Sequence, residues 1–109
     1  MAEGTITVTH LRERERYRAD LVVDGFPEEV GYLDYTRDSG HADGDHLALT
    51  HTVVFAQYGG RGYAGQLVKS VLDDIRERGD KVIPVCSYVI HYLERHPEYN
   101  DLVVSNTLT

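Results

Sequence analysis

The sequence predicts an α+β fold with a mixed sheet and two helices. The first half of the 109-residue chain reads as strands rich in β-branched residues, separated by turn-forming residues. From Tyr63 onward the apolar residues change from a period of about 2 to a period of about 3.6, and strands then alternate with helices. A run of strands followed by strand–helix units is typical of an α+β fold.

Four strands are predicted in the first half of the chain. The best defined is Arg16–Val23, where Tyr17, Ala19 and Leu21 alternate with charged residues. The Asp24-Gly25 pair after it is a turn signal. A polar loop with two glycines separates the third strand from the fourth, which is the most apolar. The four predicted strands are residues 5–9, 16–23, 30–36 and 47–55, and the loop is 37–45.

Two helices and a fifth strand follow. Tyr63–Arg78 carries apolar residues at positions i, i+3, i+4, i+7, i+8 and i+11, which form one helical face. Gly79 is placed to end this helix. Residues 81–85 are predicted as the fifth strand, and residues 87–96 as a second helix that ends at Pro97. The apolar face of the first helix consists of Ala64, Leu67, Val68, Val71, Leu72 and Ile75.

Composition narrows the class of protein. We expect residues 1–109 to form one domain. The net charge of −7 argues against a nucleic-acid partner, because binding of phosphates requires cations. No apolar run approaches the roughly 20 residues of a membrane span, and we expect neither a signal peptide nor a membrane partner. The only cysteine, Cys86, precludes an internal disulfide and favours a reducing, cytoplasmic location.

A glycine-rich segment between the fourth strand and the first helix is the main functional signal. It reads Tyr-Gly-Gly-Arg-Gly-Tyr-Ala over residues 58–64. Unpaired N–H groups and the helix dipole make such a helix N-terminus favourable for an anion. The spacing is neither that of a Walker loop nor that of the dinucleotide fingerprint. Two readings remain, a phosphate cradle or a turn whose glycines serve geometry alone.

The segment YGGRGYAGQLV resembles the acyl-CoA loop of the GNAT acetyltransferase superfamily, Q/R-x-x-G-x-G/A. Gly59 takes the place of the first Gln/Arg, Gly62 that of the glycine and Ala64 that of the last small residue. The first position departs from the pattern. The likeness continues, in order, through the segments GYLDY, HTVV, IPVCSYV and HPEYNDLV. Through these segments the chain resembles a subfamily of minimal GNAT-like proteins of about a hundred residues.

The resemblance implies a compact GNAT-like fold with a mixed, mostly antiparallel sheet, and acetyl-CoA as cosubstrate. The fourth and fifth strands would separate, and the pantetheine arm would pair with the free edge of the fourth. An amine of unknown identity would accept the acetyl group. The implied cofactor-binding residues are Thr52, Val53, Val54, Phe55, Gly59, Gly60, Arg61, Gly62, Tyr63, Ala64 and Tyr92.

Three residues are candidates for the chemistry of acetyl transfer, which requires an amine base, oxyanion stabilisation and a proton for the leaving thiolate. Cys86 precedes the second helix with Ser87 as a plausible N-cap, where a thiol pKa can be lowered. His51 alternates with apolar residues and is expected on an apolar face. Tyr88 shares a helix face with Tyr92 and resembles the acid of GNAT enzymes. Each of these residues has an ordinary packing role as its alternative.

The remaining alternatives concern function as a whole. A non-catalytic CoA-binding or interaction module that retains the fold is the alternative to an enzyme, and a domain without CoA is a third reading. Residues 41–46 hold two histidines and two aspartates, but they match no metal-ligand spacing, so no metal is expected. We expect a monomer or a weak homodimer.

Overall fold

The computed structural model describes residues 5–104 and contains one five-stranded sheet whose strand order follows the chain. The first three pairings are antiparallel and the last, between the fourth and fifth strands, is parallel. The predicted mixed, mostly antiparallel sheet is therefore confirmed. Its strands are β1 (Thr7–Leu11), β2 (Arg16–Val23), β3 (Phe26–Asp38), β4 (His46–Val54) and β5 (Lys81–Pro84).

Two α-helices lie side by side on one face of this sheet. Helix α1 is Tyr63–Arg78 and helix α2 is Ser87–Arg95. The α1 periodicity is explained by burial, because the residues of its apolar stripe from Leu67 to Ile75 contact the sheet and are fully buried. Gly79 ends α1 in the left-handed conformation, as predicted, and its N–H donates to Arg76 O and Ile75 O. The opposite sheet face carries no α-helix in residues 5–104.

Some predicted strand ends differ from the observed ones. At these positions the pairing with the neighbouring strand, and not the residue type, determines where the strand ends. Strand β1 begins at Thr7 and not at residue 5, because Thr7 is the first residue opposite β2. Strand β3 extends beyond the predicted 30–36 at both ends. At its start, Asp24 and Gly25 both have positive φ and form a tight turn, so β3 pairs with β2 from its first residue. The arginine-rich segment after β1 is a 3₁₀ turn, Arg12–Arg14.

A buried aromatic cluster joins β1 to α1. The His10 ring stacks on Tyr17 with a centroid separation of 4.0 Å, and its Nε2 lies 2.6 Å from the Tyr35 hydroxyl. The Tyr17 hydroxyl donates to Asp74 Oδ2 at 2.8 Å. Burial lowers the pKa of His10, the charge of Arg78 lowers it further, and Asp74 only partly opposes these effects. The folded state therefore disfavours the protonated form of His10.

We expect the free energy of unfolding to fall as the pH is lowered below about 6.5. The pKa of His10 is lower in the folded state than in the unfolded state, so protonation favours unfolding. The slope is at most about 1.4 kcal/mol per pH unit for one proton. Urea denaturation at several pH values measures it, and His10→Gln should flatten the curve in this window. An unchanged slope in His10→Gln would contradict the assignment to His10.

Candidate active site

The fourth and fifth strands separate at one end of the sheet. Strand β5 ends at Pro84, opposite Leu49, while β4 continues to Val54. The N–H groups of Val85 and Cys86 both donate to Leu49 O, at 3.2 and 2.9 Å, and the chain then leaves the sheet. Residues 50–54 of β4 therefore have no strand partner on this side. We call this space the β4–β5 gap.

Two residues of β4 turn their backbone groups into the β4–β5 gap. The N–H of Phe55 donates to Val30 O at 2.9 Å, and Val53 O faces Gly31 of β3. Because successive residues of a strand direct their backbone groups to opposite sides, those of Thr52 and Val54 point away from β3. Of the predicted edge residues 52–55, only Thr52 and Val54 therefore offer backbone hydrogen bonds to the gap.

Cys86 lies where the gap meets the start of α2. It is the N-cap residue of the helix. The expectation that Ser87 is the N-cap is therefore wrong, because Ser87 is already the first helical residue. The Cys86 Sγ lies 3.5 Å from Thr52 Oγ1. Burial raises the pKa of the Cys86 thiol, but hydrogen bonds from Thr52 and from the backbone N–H groups of Val89 and Tyr88 outweigh this, and the pKa lies below its usual value.

The glycine loop ends beside the same gap. Gly60 and Gly62 have φ of 77° and 83°, a backbone conformation that favours glycine. Gly62 is the N-cap of α1 and supplies no side-chain acceptor to the first turn. A Cβ built on Gly60 or Gly62 would meet no atom within 4 Å, so the space in front of both residues is open. This is the geometry that an anion at a helix N-terminus requires.

The other predicted cofactor-binding residues of the loop, Gly59, Arg61 and Tyr63, differ in what they can offer to a ligand. Gly59 already donates its N–H to Ala56 O at 3.1 Å and ends a 3₁₀ turn. The Tyr63 side chain is 1 % exposed and packs in the core near Tyr58, so its ring does not face the loop surface. Arg61 is exposed and forms no hydrogen bond or ion pair within residues 5–104.

The expectation that His51 lies on an apolar face is wrong. A β-bulge in β4 places Thr50 opposite no residue of β3, and this reverses the alternation beyond Leu49. His51 is consequently exposed and pairs with Asp34 on the sheet face that carries no helix. Its Nδ1 lies 3.2 Å from Thr50 Oγ1. The structure thus brings Cys86 and Thr52 together on one side of the gap and places His51 on the other.

Tyr88 and Tyr92 line a cleft of about 550 Å³ between the first turn of α1 and α2. Tyr88 is 40 % exposed. Burial raises the pKa of the Tyr92 hydroxyl, and Lys69 partly opposes this rise. Two further lining residues, His91 and Arg95, were not predicted from the sequence. The signal was present, because residues 88, 91, 92 and 95 form an i, i+3, i+4, i+7 stripe of polar and aromatic side chains.

The residues between β3 and β4 form local pairs. His41 stacks on His46 at 3.7 Å, and their Nε2 atoms lie near Asp38 and Asp43. Across residues 5–104, no three His, Cys, Asp or Glu side chains converge as metal ligands. No helix in that range is both long enough and apolar enough to cross a membrane.

The sequential sheet, the parallel β4–β5 pair with its gap and the uncapped helix beside it define an acetyltransferase type of α+β fold. A sequence profile described as GCN5-related N-acetyltransferase matches residues 16–102. The chain belongs to this family.

Solved structures with similar folds carry related descriptions. A GCN5-like protein from Staphylococcus aureus superposes with a TM-score of 0.60 at 23% identity, covering 95% of this chain and 91% of that chain. A ribosomal-protein-alanine N-acetyltransferase from Brucella melitensis biovar Abortus gives 0.53 at 20%, covering 91% and 71%. An acetyltransferase from Trypanosoma brucei gives 0.52 at 19%, covering 90% and 68%. At these identities the likeness shows the fold. No curated protein sequence gives a significant match.

Proposed function

We propose that the chain binds acetyl-CoA and transfers its acetyl group to an amine. The observation that carries the proposal is the β4–β5 gap, where free backbone groups, a thiol of lowered pKa and an uncapped helix N-terminus lie side by side. Thr52 and Val54 would pair with the amides of the pantetheine arm. The first turn of α1, Gly60, Gly62 and Arg61 would hold the pyrophosphate.

Cys86 is the group best placed for the chemistry at the gap. Acetyl-CoA supplies an activated thioester, and its reaction leaves a thiolate that must be protonated. A Cys86 thiol with a lowered pKa can donate that proton, or its thiolate can accept the acetyl group before the amine does. Thr52 holds the Cys86 sulfur in position in either route. Tyr88 is a second candidate acid, because it lies two residues further along the chain, on the cleft side.

His51 indicates the side from which the amine would arrive. It is exposed on the sheet face without a helix, whereas Cys86 and Tyr88 lie on the helical side. The imidazole of His51 could take a proton from an ammonium group. The net charge of −7 is compatible with attraction of a cationic acceptor. We therefore propose that the amine reaches the gap from the uncovered face, with His51 as base.

A charge-only comparison at Gly62 tests binding. Gly62→Asp and Gly62→Asn have side chains of the same shape, and both residues tolerate positive φ better than most. An aspartate at this position would place a negative charge beside the proposed phosphate and repel it, so we expect affinity for acetyl-CoA and CoA to fall at least about 10-fold below that of Gly62→Asn. Isothermal titration calorimetry measures this difference.

Stability provides the control for the Gly62 pair. Aspartate and asparagine carry the same backbone strain at this positive φ, so the two variants should unfold within about 1 kcal/mol of each other. Equal affinity in the two variants would exclude a phosphate at Gly62. The absence of saturable binding to the wild-type chain at about millimolar acetyl-CoA would exclude the proposed function. Binding without transfer to any amine would leave the CoA-binding module.

A further inference from the structure

A short chain of hydrogen bonds connects the β-bulge of β4 to the His51 imidazole. Thr50 is the extra residue of the bulge and lies opposite no residue of β3. Its Oγ1 donates to Asp34 O at 3.1 Å, and His51 Nδ1 lies 3.2 Å from Thr50 Oγ1. The three groups therefore follow one another in the order Asp34 O, Thr50 Oγ1 and His51 Nδ1.

These hydrogen bonds determine which nitrogen of a neutral His51 carries the proton. A carbonyl oxygen can only accept, so the single hydroxyl proton of Thr50 points to Asp34 O. Thr50 Oγ1 can then only accept from His51, which requires the proton on Nδ1. With the proton on Nε2, the Thr50 hydroxyl would have to leave Asp34 O in order to donate to Nδ1. The Nδ1–H tautomer is therefore the one that keeps both hydrogen bonds.

The other ring nitrogen of His51 is left free by this arrangement. Nε2 forms no hydrogen bond or ion pair with any residue between 5 and 104, and the side chain is exposed. Asp34 lies opposite His51 in β3, but Arg16 already binds both of its carboxylate oxygens, at 2.6 and 3.1 Å. The Nε2 lone pair is consequently available to a group that arrives on the uncovered face of the sheet.

We propose that Thr50 is a positioning residue that holds neutral His51 in the Nδ1–H tautomer, so that Nε2 is the nitrogen that deprotonates the acceptor amine. The inference rests on the proposed function, because it takes His51 as the base. The proton would pass from the ammonium group to Nε2, and the lone pair left on the amine nitrogen would attack the thioester carbon. The imidazolium would keep its Nδ1–H bond to Thr50, which then becomes charge-assisted.

The bulge in β4 gains a purpose from this proposal. Bulges are frequent beside active sites, where they redirect side chains. Here the extra residue turns His51 to the uncovered face, and the same residue supplies the hydroxyl that orients the imidazole. The partner of one ring nitrogen commonly sets the protonation of the other in histidines that act as bases.

Long-range ¹H–¹⁵N NMR at about pH 9, where imidazoles are neutral, reads the tautomer from the shifts of the two ring nitrogens. His51→Gln identifies the His51 signals among those of the six histidines. We expect the wild-type chain to carry the proton on Nδ1. Thr50→Val removes the hydroxyl, and the ratio of Nδ1–H to Nε2–H should fall about 5-fold, as the loss of one hydrogen bond implies. Thr50→Ser should keep the wild-type ratio.

Initial rates of acetyl transfer give the second readout. Thr50→Val should lower kcat by the same factor of about 5 and leave the Kd for acetyl-CoA unchanged, and Thr50→Ser should restore kcat. Thr36→Val is the matched control, because it removes an exposed hydroxyl two residues after Asp34 on the same strand. It should change neither the tautomer ratio nor kcat.

Three outcomes would overturn the inference and leave the acetyl-CoA proposal intact. They are a proton on Nε2 in the wild-type chain, an equal tautomer ratio in the wild type and Thr50→Val, and an unchanged kcat in Thr50→Val despite a shifted ratio. Absence of transfer by the wild-type chain to every amine would overturn the proposed function and, with it, the role of Nε2 as base. The NMR ratio is measured without turnover, so the two failures are distinguished.

Discussion

Cys86→Ala is expected to lower the rate of acetyl transfer at least about 100-fold, the usual effect of losing a positioned acid or nucleophile. The Kd for acetyl-CoA should stay unchanged, because the proposed binding contacts come from Thr52, Val54 and the loop before α1. The lowered pKa of the Cys86 thiol is the physical reason for the large effect on rate. Initial rates over a panel of amines, with calorimetry on the same samples, separate the two quantities.

Cys86→Ser distinguishes chemistry from packing. Serine keeps a hydroxyl near Thr52, but its pKa is too high for it to replace the thiol. Its rate should fall like that of Cys86→Ala while its stability stays near wild type. Mass spectrometry after incubation with acetyl-CoA alone reveals acetylated Cys86 if the thiol is a nucleophile, and no adduct if it is an acid. Full activity in both variants would make Cys86 a packing residue.

Gly31→Ala is expected to destabilise the fold by about 2–4 kcal/mol, near the upper end for overpacking. Gly31 lies in β3 opposite Val54, and an alanine Cβ would lie 2.1 Å from Val53 O. Backbone atoms cannot move away without breaking the β3–β4 pairing next to the gap. Urea denaturation should show the loss directly, and the part of the protein that still folds should bind acetyl-CoA more weakly.

Gly65→Ala is the matched control, since it adds the same methyl group elsewhere. Gly65 lies within α1, where the nearest atom to a new Cβ is the Tyr88 hydroxyl oxygen at 3.6 Å. Alanine there should stabilise the fold by about 0.5–1 kcal/mol, because glycine is the weaker helix former. Destabilisation of similar size in both variants would contradict a specific clash at Gly31.

The elements predicted best are those with a periodic signal or a conformational marker. Helix α1 was predicted to the residue, because its apolar stripe is continuous and Gly79 marks its end. The turn at Asp24-Gly25 follows from the preference of both residue types for positive φ. The 3₁₀ turns were missed, because a single turn contains too few residues to show a period.

The orientation of His51 could not be predicted, since it depends on the bulge at Thr50. A bulge shifts every later side chain of a strand to the opposite face, and no residue type marks it reliably. The same pairing determines which of residues 52–55 direct their backbone groups toward β3 and which direct them toward the gap. By contrast, the position of Cys86 at the start of α2 follows from its place between a strand and an amphipathic stretch, and it was predicted.

The sequential strand order has a consequence for how the molecule assembles. Strands β1 to β4 pair through short connections, whereas β4 and β5 pair across the whole of α1. Loop-closure entropy grows with the length of chain enclosed, so we expect the hairpins to form early and the β4–β5 pair to form last. The gap exists only after this step. A ligand that contacts both β4 and α1 therefore adds its binding free energy to the completion of folding.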